Sequence, residues 1–163
     1  INAAQPLEYK DYFLISSAYG KGAALVNSSK TGMQSVWESD AISCQMASLV
    51  RKGNYAYGIH GQAGARSKQA TLFCVDIASG EKVWEHKGFG VGTLILVDQH
   101  LVILSDDGAI TIAEAREDKF EEIESFQILS GKNNWTPLTY SQGRMHARGS
   151  QGRWVCLSMG KVN

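Results

Sequence analysis

A short phrase occurs twice in this chain, and its recurrence restricts the possible folds more than any other feature. Thr31-Gly32-Met33-Gln34-Ser35-Val36-Trp37-Glu38 returns as Ser79-Gly80-Glu81-Lys82-Val83-Trp84-Glu85, with the glycines 48 positions apart and the tryptophans 47. A third unit, Asp107-Gly108-Ala109-Ile110-Thr111-Ile112, and a fourth, Gln151-Gly152-Arg153-Trp154-Val155-Cys156-Leu157, follow with glycines 44 positions apart. A unit of about 40–50 residues holds four short strands but is too small to bury its own faces. Each unit must therefore be covered by its neighbours.

Helical periodicity is nearly absent, and short apolar or alternating runs end in Gly or Asn/Asp turns. Candidate strands are Tyr12–Ala18, Gly22–Ser28, Gln34–Glu38, Gln45–Val50, Asn54–His60, Ala70–Ile77 and Lys82–Lys87. They continue as Gly92–Val97, His100–Ser105, Ala109–Ala115, Glu122–Ile128, Thr136–Tyr140, Gly143–Gly149 and Gly152–Met159. One segment, Ala113–Gln127, also carries charges and a Phe120/Ile123 spacing that suit an amphipathic helix. Leu94-Ile95-Leu96-Val97 and Leu101-Val102-Ile103-Leu104 are apolar at every position, so their sheets must be covered on both faces. With no helices to do the covering, sheets must cover sheets.

The expected fold is an all-β propeller of about four blades, each a four-stranded antiparallel sheet, at approximately 6–40, 41–87, 88–129 and 130–160. Four such blades need sixteen strands, and fourteen are legible. Pro6–Lys10 is the candidate for the missing inner strand of the first blade, and the last blade shows no outer strand. The chain is expected to be the C-terminal part of a ring of about seven or eight blades, completed by missing sequence or by a second copy.

The 163 residues suit one region able to bury roughly 70% of the unfolded chain's surface. The 16 Lys+Arg and 16 Asp+Glu cancel, which excludes a strong sequence-independent pull on nucleic acid. No apolar run reaches the ~18 residues that a membrane-spanning helix requires. Cys44, Cys74 and Cys156 are distant and odd in number, and read as three buried thiols. The start, Ile1-Asn2-Ala3-Ala4-Gln5-Pro6, shows neither an initiator Met nor a leader, so we expect a processed or cut chain.

Signatures of chemistry are scarce. No GxSxG, GxxxxGK[ST] or HExxH pattern occurs, and Gly88-Phe89-Gly90-Val91-Gly92 lacks the third Gly of a dinucleotide loop. His60, His86, His100 and His146 are scattered without ligand spacing, so no metal site is expected from them. Asp106-Asp107-Gly108 suits a turn or, alternatively, a bound calcium ion. In a propeller, ligands meet the face built by outer-to-inner connections and by the loops between second and third strands. Candidate residues on that face are His60, Arg66, Lys68, His86, Asp106, Lys132, Asn134 and Trp135.

Val75-Asp76-Ile77-Ala78-Ser79-Gly80-Glu81-Lys82-Val83-Trp84-Glu85 resembles the repeat of the pyrroloquinoline-quinone (PQQ)-like propellers, x-D-x-x-T/S-G-x-x-x-W. Leu25–Glu38 matches more loosely, with Ser28 at the Asp position, and the third unit offers Phe126 in place of the Trp. The resemblance implies that Trp37 and Trp84 dock on neighbouring blades near the repeat glycines Gly32 and Gly80. The family contains non-catalytic members, among them an outer-membrane barrel-assembly lipoprotein, and quinoprotein alcohol dehydrogenases. Catalysis there would imply PQQ beside Ca²⁺, an Asp base, an Arg near the quinone and a vicinal cysteine pair, and this chain has no such pair. The expected function is a non-catalytic scaffold without a cofactor, binding a protein or carbohydrate partner through its loop face. The alternative is a PQQ-dependent alcohol or polyvinyl-alcohol dehydrogenase with part of its site outside this chain.

Overall fold

The computed structural model describes residues 3–29, 32–64 and 69–159. Among them the chain is all-β, with no α-helix and hence none long and apolar enough to cross a membrane. Blade 1 comprises β1 (Leu7–Tyr9), β2 (Tyr12–Ser17), β3 (Gly22–Ser29) and β4 (Gly32–Ser39). Blade 2 holds β5 (Val50–Lys52), β6 (Tyr55–His60), β7 (Thr71–Asp76) and β8 (Lys82–Lys87). Blade 3 holds β9 (Thr93–Val97), β10 (His100–Leu104), β11 (Ala109–Glu114) and β12 (Glu121–Gln127). Blade 4 has three strands among the described residues, β13 (Thr139–Ser141), β14 (Arg144–Arg148) and β15 (Trp154–Ser158). All neighbours within a blade pair antiparallel and in chain order.

The inner strand of blade 1 is β1, inside the Pro6–Lys10 segment as expected, while two other expectations are corrected. Gln45–Leu49 is not a strand; the chain there is held by loop hydrogen bonds, and pairing begins at Val50. The helical alternative for Ala113–Gln127 fails because both of its ends pair in a sheet, Ile110 with Phe126 and Glu114 with Glu121.

Three apolar clusters join the four blades in sequence. Leu14 and Leu25 of blade 1 meet Phe73 and Val75 of blade 2. Tyr57, Leu72 and Cys74 on the other side of blade 2 meet Leu101 and Ile103 of blade 3. Val102 and Leu104, the alternate side chains of that same β10, meet Met145 and Ala147 of blade 4. The continuous apolar run of β10 is thus explained by burial on both faces.

The recurring Gly–Trp phrase is the clamp between blades. Asp76 Oδ1 accepts the backbone N–H groups of Ala78 and Ser79 at 2.9 and 3.0 Å, which folds the β7–β8 turn and delivers Gly80 at φ +76°. Trp37 of blade 1 lies on that turn: its indole N–H donates to Ile77 O at 3.0 Å, and a Cβ on Gly80 would sit 2.8 Å from its ring. Trp84 of blade 2 likewise donates to Arg116 O of blade 3 at 3.1 Å. In each outer strand the ladder slips by one residue beside this position, leaving Val36, Val83 and Ile123 bulged outward and exposed. The bulge aims the following residue at the next blade.

The register corrects three details of the repeat. Glu124, not Phe126, holds the tryptophan position in blade 3, since it opposes Ile112 as Trp84 opposes Cys74. Phe126 packs instead within the third cluster. Asn27, not Ser28, matches Asp76, because Tyr12 opposes the former as Tyr55 opposes the latter. At Gly32 a Cβ would meet nothing within 4 Å among the described residues, in contrast to Gly80.

Cys44 and Cys74 are buried free thiols, whereas Cys156, expected to be buried, is exposed on β15 because the face it shares with His146 is covered by no blade among the described residues. Burial pushes both the Cys44 and the Cys74 thiol up to about 12. A disulfide-exchange reagent should therefore spare Cys44 and Cys74 in the folded protein and label both after denaturation; fast labelling of all three thiols in the native state would contradict the packing. Trp84→Ala should lower stability by about 3 kcal/mol through lost burial. Trp84→Phe, which removes chiefly the Arg116 hydrogen bond, should cost about 1 kcal/mol. Urea midpoints measure both, and an unshifted midpoint for the alanine variant would rule out the clamp.

Candidate functional site

Strand order places the β2–β3, β4–β5, β6–β7, β8–β9, β10–β11, β12–β13 and β14–β15 connections on one side of the molecule. This loop face is stitched by backbone groups that the sheets leave over. Gly61 N donates to Ser43 O at 2.8 Å, and Asp106 N donates to Phe89 O at 3.0 Å. Each bond ties a loop between second and third strands to the connection entering its own blade.

Four expected site residues lie where blades 3 and 4 meet, Asp106, Lys132, Asn134 and Trp135. Asn134 is fully buried, and both its backbone N–H and its Nδ2 donate to Asp106 O at 3.1 Å. Its Oδ1 accepts Ser150 N at 3.1 Å, while Ser150 Oγ donates to Lys132 O at 2.7 Å. Asn134 is therefore a latch between three loops, with its polar atoms spent inside the protein. Lys132 is exposed beside it, and Trp135 is half-buried with no partner for its buried indole N–H among the described residues.

The Asp106 carboxyl lies against Gly90, where a Cβ would stand 2.6 Å from Oδ1. Burial raises its pKa, aided by the Asp107 charge and opposed by the Val91 backbone N–H and by Lys132. Asp107 Oδ1 accepts the Ser105 hydroxyl, which also accepts Ala109 N at 2.9 Å. Asp107 is thus committed to the turn, while the Asp106 carboxyl accepts the Val91 backbone N–H in the β8–β9 connection. No group of three or more His, Cys, Asp or Glu side chains among the described residues could hold a metal ion.

Of the remaining expected residues, His86 and His60 do not join this cluster. His86 lies on the outer strand of blade 2, where its ring stacks on Phe120 at 4.2 Å between centroids, so it caps an aromatic group at the edge of the blade 2–3 contact. His60 ends β6 opposite Thr71, and neither His60 Nδ1 nor Thr71 Oγ1, both buried, has a partner among the described residues. Burial, followed by the Lys82 charge, lowers the His60 pKa. Arg66 and Lys68 lie outside the described residues.

Sequence reasoning missed Gln45. It is buried in the β4–β5 connection, its Oε1 accepts Ala63 N at 2.6 Å, and its Nε2 donates to the Tyr19 hydroxyl at 2.5 Å. It latches the loops of blades 1 and 2 much as Asn134 latches those of blades 3 and 4. Its only sequence signal is a polar residue inside an apolar run, which strand alternation explains equally well. A shallow cavity of about 220 Å³ opens on blade 1 beside Ile15, Ser17, Lys21 and Glu38, below the usual range of small-molecule sites.

These blades and their loop face define a β-propeller. Among solved structures the chain is similar to BamB from Moraxella catarrhalis, with a TM-score of 0.67 and 18% identity over 94% of this chain and 42% of that one. It is equally similar to the computationally designed Ika4 protein, TM-score 0.67 at 14% identity, over 95% of this chain and 89% of that one. A europium-containing methanol dehydrogenase matches with a TM-score of 0.56 at 10% identity, over 77% of this chain and 24% of that one. At such identities the likeness establishes the propeller fold alone, and the chain spans less than half the length of the BamB chain. No family model matches the sequence, and no curated protein does.

Because the folded state holds His60 below its ordinary pKa, the unfolded chain binds that proton first as pH falls. The stability contributed by neutral His60 is present above about pH 6.5 and is lost on acidification below it. Urea midpoints measured across that range should fall for the wild type and flatten for His60→Gln; identical slopes would show that the imidazole is solvated.

Proposed function

We propose that this chain is part of a non-catalytic PQQ-like propeller scaffold whose loop face takes a protein partner. The observation that carries the reading is the fully buried Asn134, whose amide is consumed in joining the Asp106, Lys132 and Ser150 loops. Polar groups used in this way build a stiff platform rather than a reactive pocket. On it stand the exposed Lys132 and the half-buried Trp135, with the exposed Tyr19 at the blade 1 end of the same face. An amphipathic aromatic beside a cation is the composition expected at the centre of a protein contact. Propellers of the PQQ-like family are usually exported, and that resemblance supports a parent protein in the periplasm or outside the cell.

The test is affinity capture from an envelope extract of the producing cell. A partner should be retained by the wild type and by Lys10→Glu, a change on the opposite turn face, and lost with Lys132→Glu/Trp135→Ala. Capture that ignores the double variant overturns the loop-face assignment, and retention of a polysaccharide instead of a protein overturns the partner class. The likeness to the methanol dehydrogenase supports the second reading, a PQQ-dependent dehydrogenase with site residues outside this chain. Dye reduction on adding PQQ, Ca²⁺ and an alcohol would select that reading over the first.

A further inference from the structure

Every blade contact in the molecule joins the front of one blade to the back of the next, and two such faces are left uncovered. The third residue of each second strand marks the front. It is Leu14, Tyr57 and Val102 in blades 1 to 3, at most 2% exposed, but the half-exposed His146 in blade 4. The second residue marks the back. It is Ala56, Leu101 and Met145 in blades 2 to 4, at most 1% exposed, but Phe13 in blade 1, 39% exposed. The uncovered front and the uncovered back are thus the two halves of one missing contact.

The two faces also carry opposite charge. Strand alternation puts exposed Arg144 and Arg148 on either side of His146, and Trp154 stacks on the His146 ring at 5.5 Å and remains 65% exposed. On the back of blade 1, exposed Glu8 lies opposite Phe13, and exposed Glu38 lies opposite Ala24. Glu8 and Arg144 lie toward the turn joining first and second strands, while Glu38 and Arg148 lie toward the loop face. The pairs correspond in height along the strands, with both arginines on a second strand and the glutamates on the first and the fourth.

We propose that the front of blade 4 docks head-to-tail on the back of blade 1 of a second copy of this chain, with Arg144 facing Glu8 and Arg148 facing Glu38. Trp154 and His146 then cover Phe13. The same contact made twice closes two copies into a ring of eight blades. This inference is independent of what the loop face binds.

Native mass spectrometry of the full chain tests it. The wild type should appear at twice the 17.8 kDa chain mass. Arg144→Glu/Arg148→Glu should be monomeric through acid facing acid, and Glu8→Arg/Glu38→Arg monomeric through base facing base. Mixing the two variants restores opposite charges at both contacts, so a one-to-one dimer should return. Circular dichroism verifies the fold of each variant, and Arg144→Gln/Arg148→Gln supplies a milder change that should weaken the dimer. A monomeric wild type, swaps that leave the dimer intact, or a mixture that stays monomeric would each overturn the proposal.

Discussion

The contact between the front of one blade and the back of the next is the interaction on which the rest of the structure depends. A four-stranded sheet of this size cannot bury its own apolar side chains, so each blade is stable only as part of a stack. The tryptophan clamp makes the contact directional. Trp37 reaches forward onto Gly80 and Ile77, and Trp84 onto Arg116, while the bulge beside each of them turns the side chain out of its own sheet. Where the clamp residue is replaced by Glu124, blades 3 and 4 are held instead by the apolar cluster containing Phe126, Leu104 and Met145.

The loop face follows from that stacking. Once adjacent blades are fixed, the ends of their strands approach, and backbone groups without sheet partners must be satisfied by neighbouring loops. Asn134 and Gln45 perform this task with buried amides, and Asp106 and Asp107 are drawn into the same network. The rigidity of the platform therefore has the same origin as the stability of the core. It also explains why residues that look reactive in isolation are already occupied.

The terminal blades differ in kind. The back of blade 1 is built like an interior face, with Phe13, Ile15 and Val26, whereas the front of blade 4 replaces aliphatic side chains with arginines, histidine and tryptophan. A face of that composition combines charge with aromatic area, as protein contacts do.

Much of this architecture was legible in the sequence. The repeated Gly–Trp phrase, the doubly apolar β10 and the Asp76–Gly80 turn each reflect local rules: a period, an alternation and a hydrogen bond within four residues. The inner strand Leu7–Tyr9 was only suggested, because three residues carry little periodicity. Phe126 was misassigned because a one-residue bulge shifts the register without leaving a mark in composition. Of the site, strand order could put Asp106, Lys132 and Asn134 in loops but could not give their roles, since whether an amide faces a ligand or a neighbouring loop depends on atoms distant in the chain. His86 turned out to stack on Phe120 for the same reason. The sequence alone determined the blades, because their signals lie within single strands and turns. Only the tertiary structure decided which polar groups are spent, which faces are covered and which remain open, because those outcomes depend on contacts between blades.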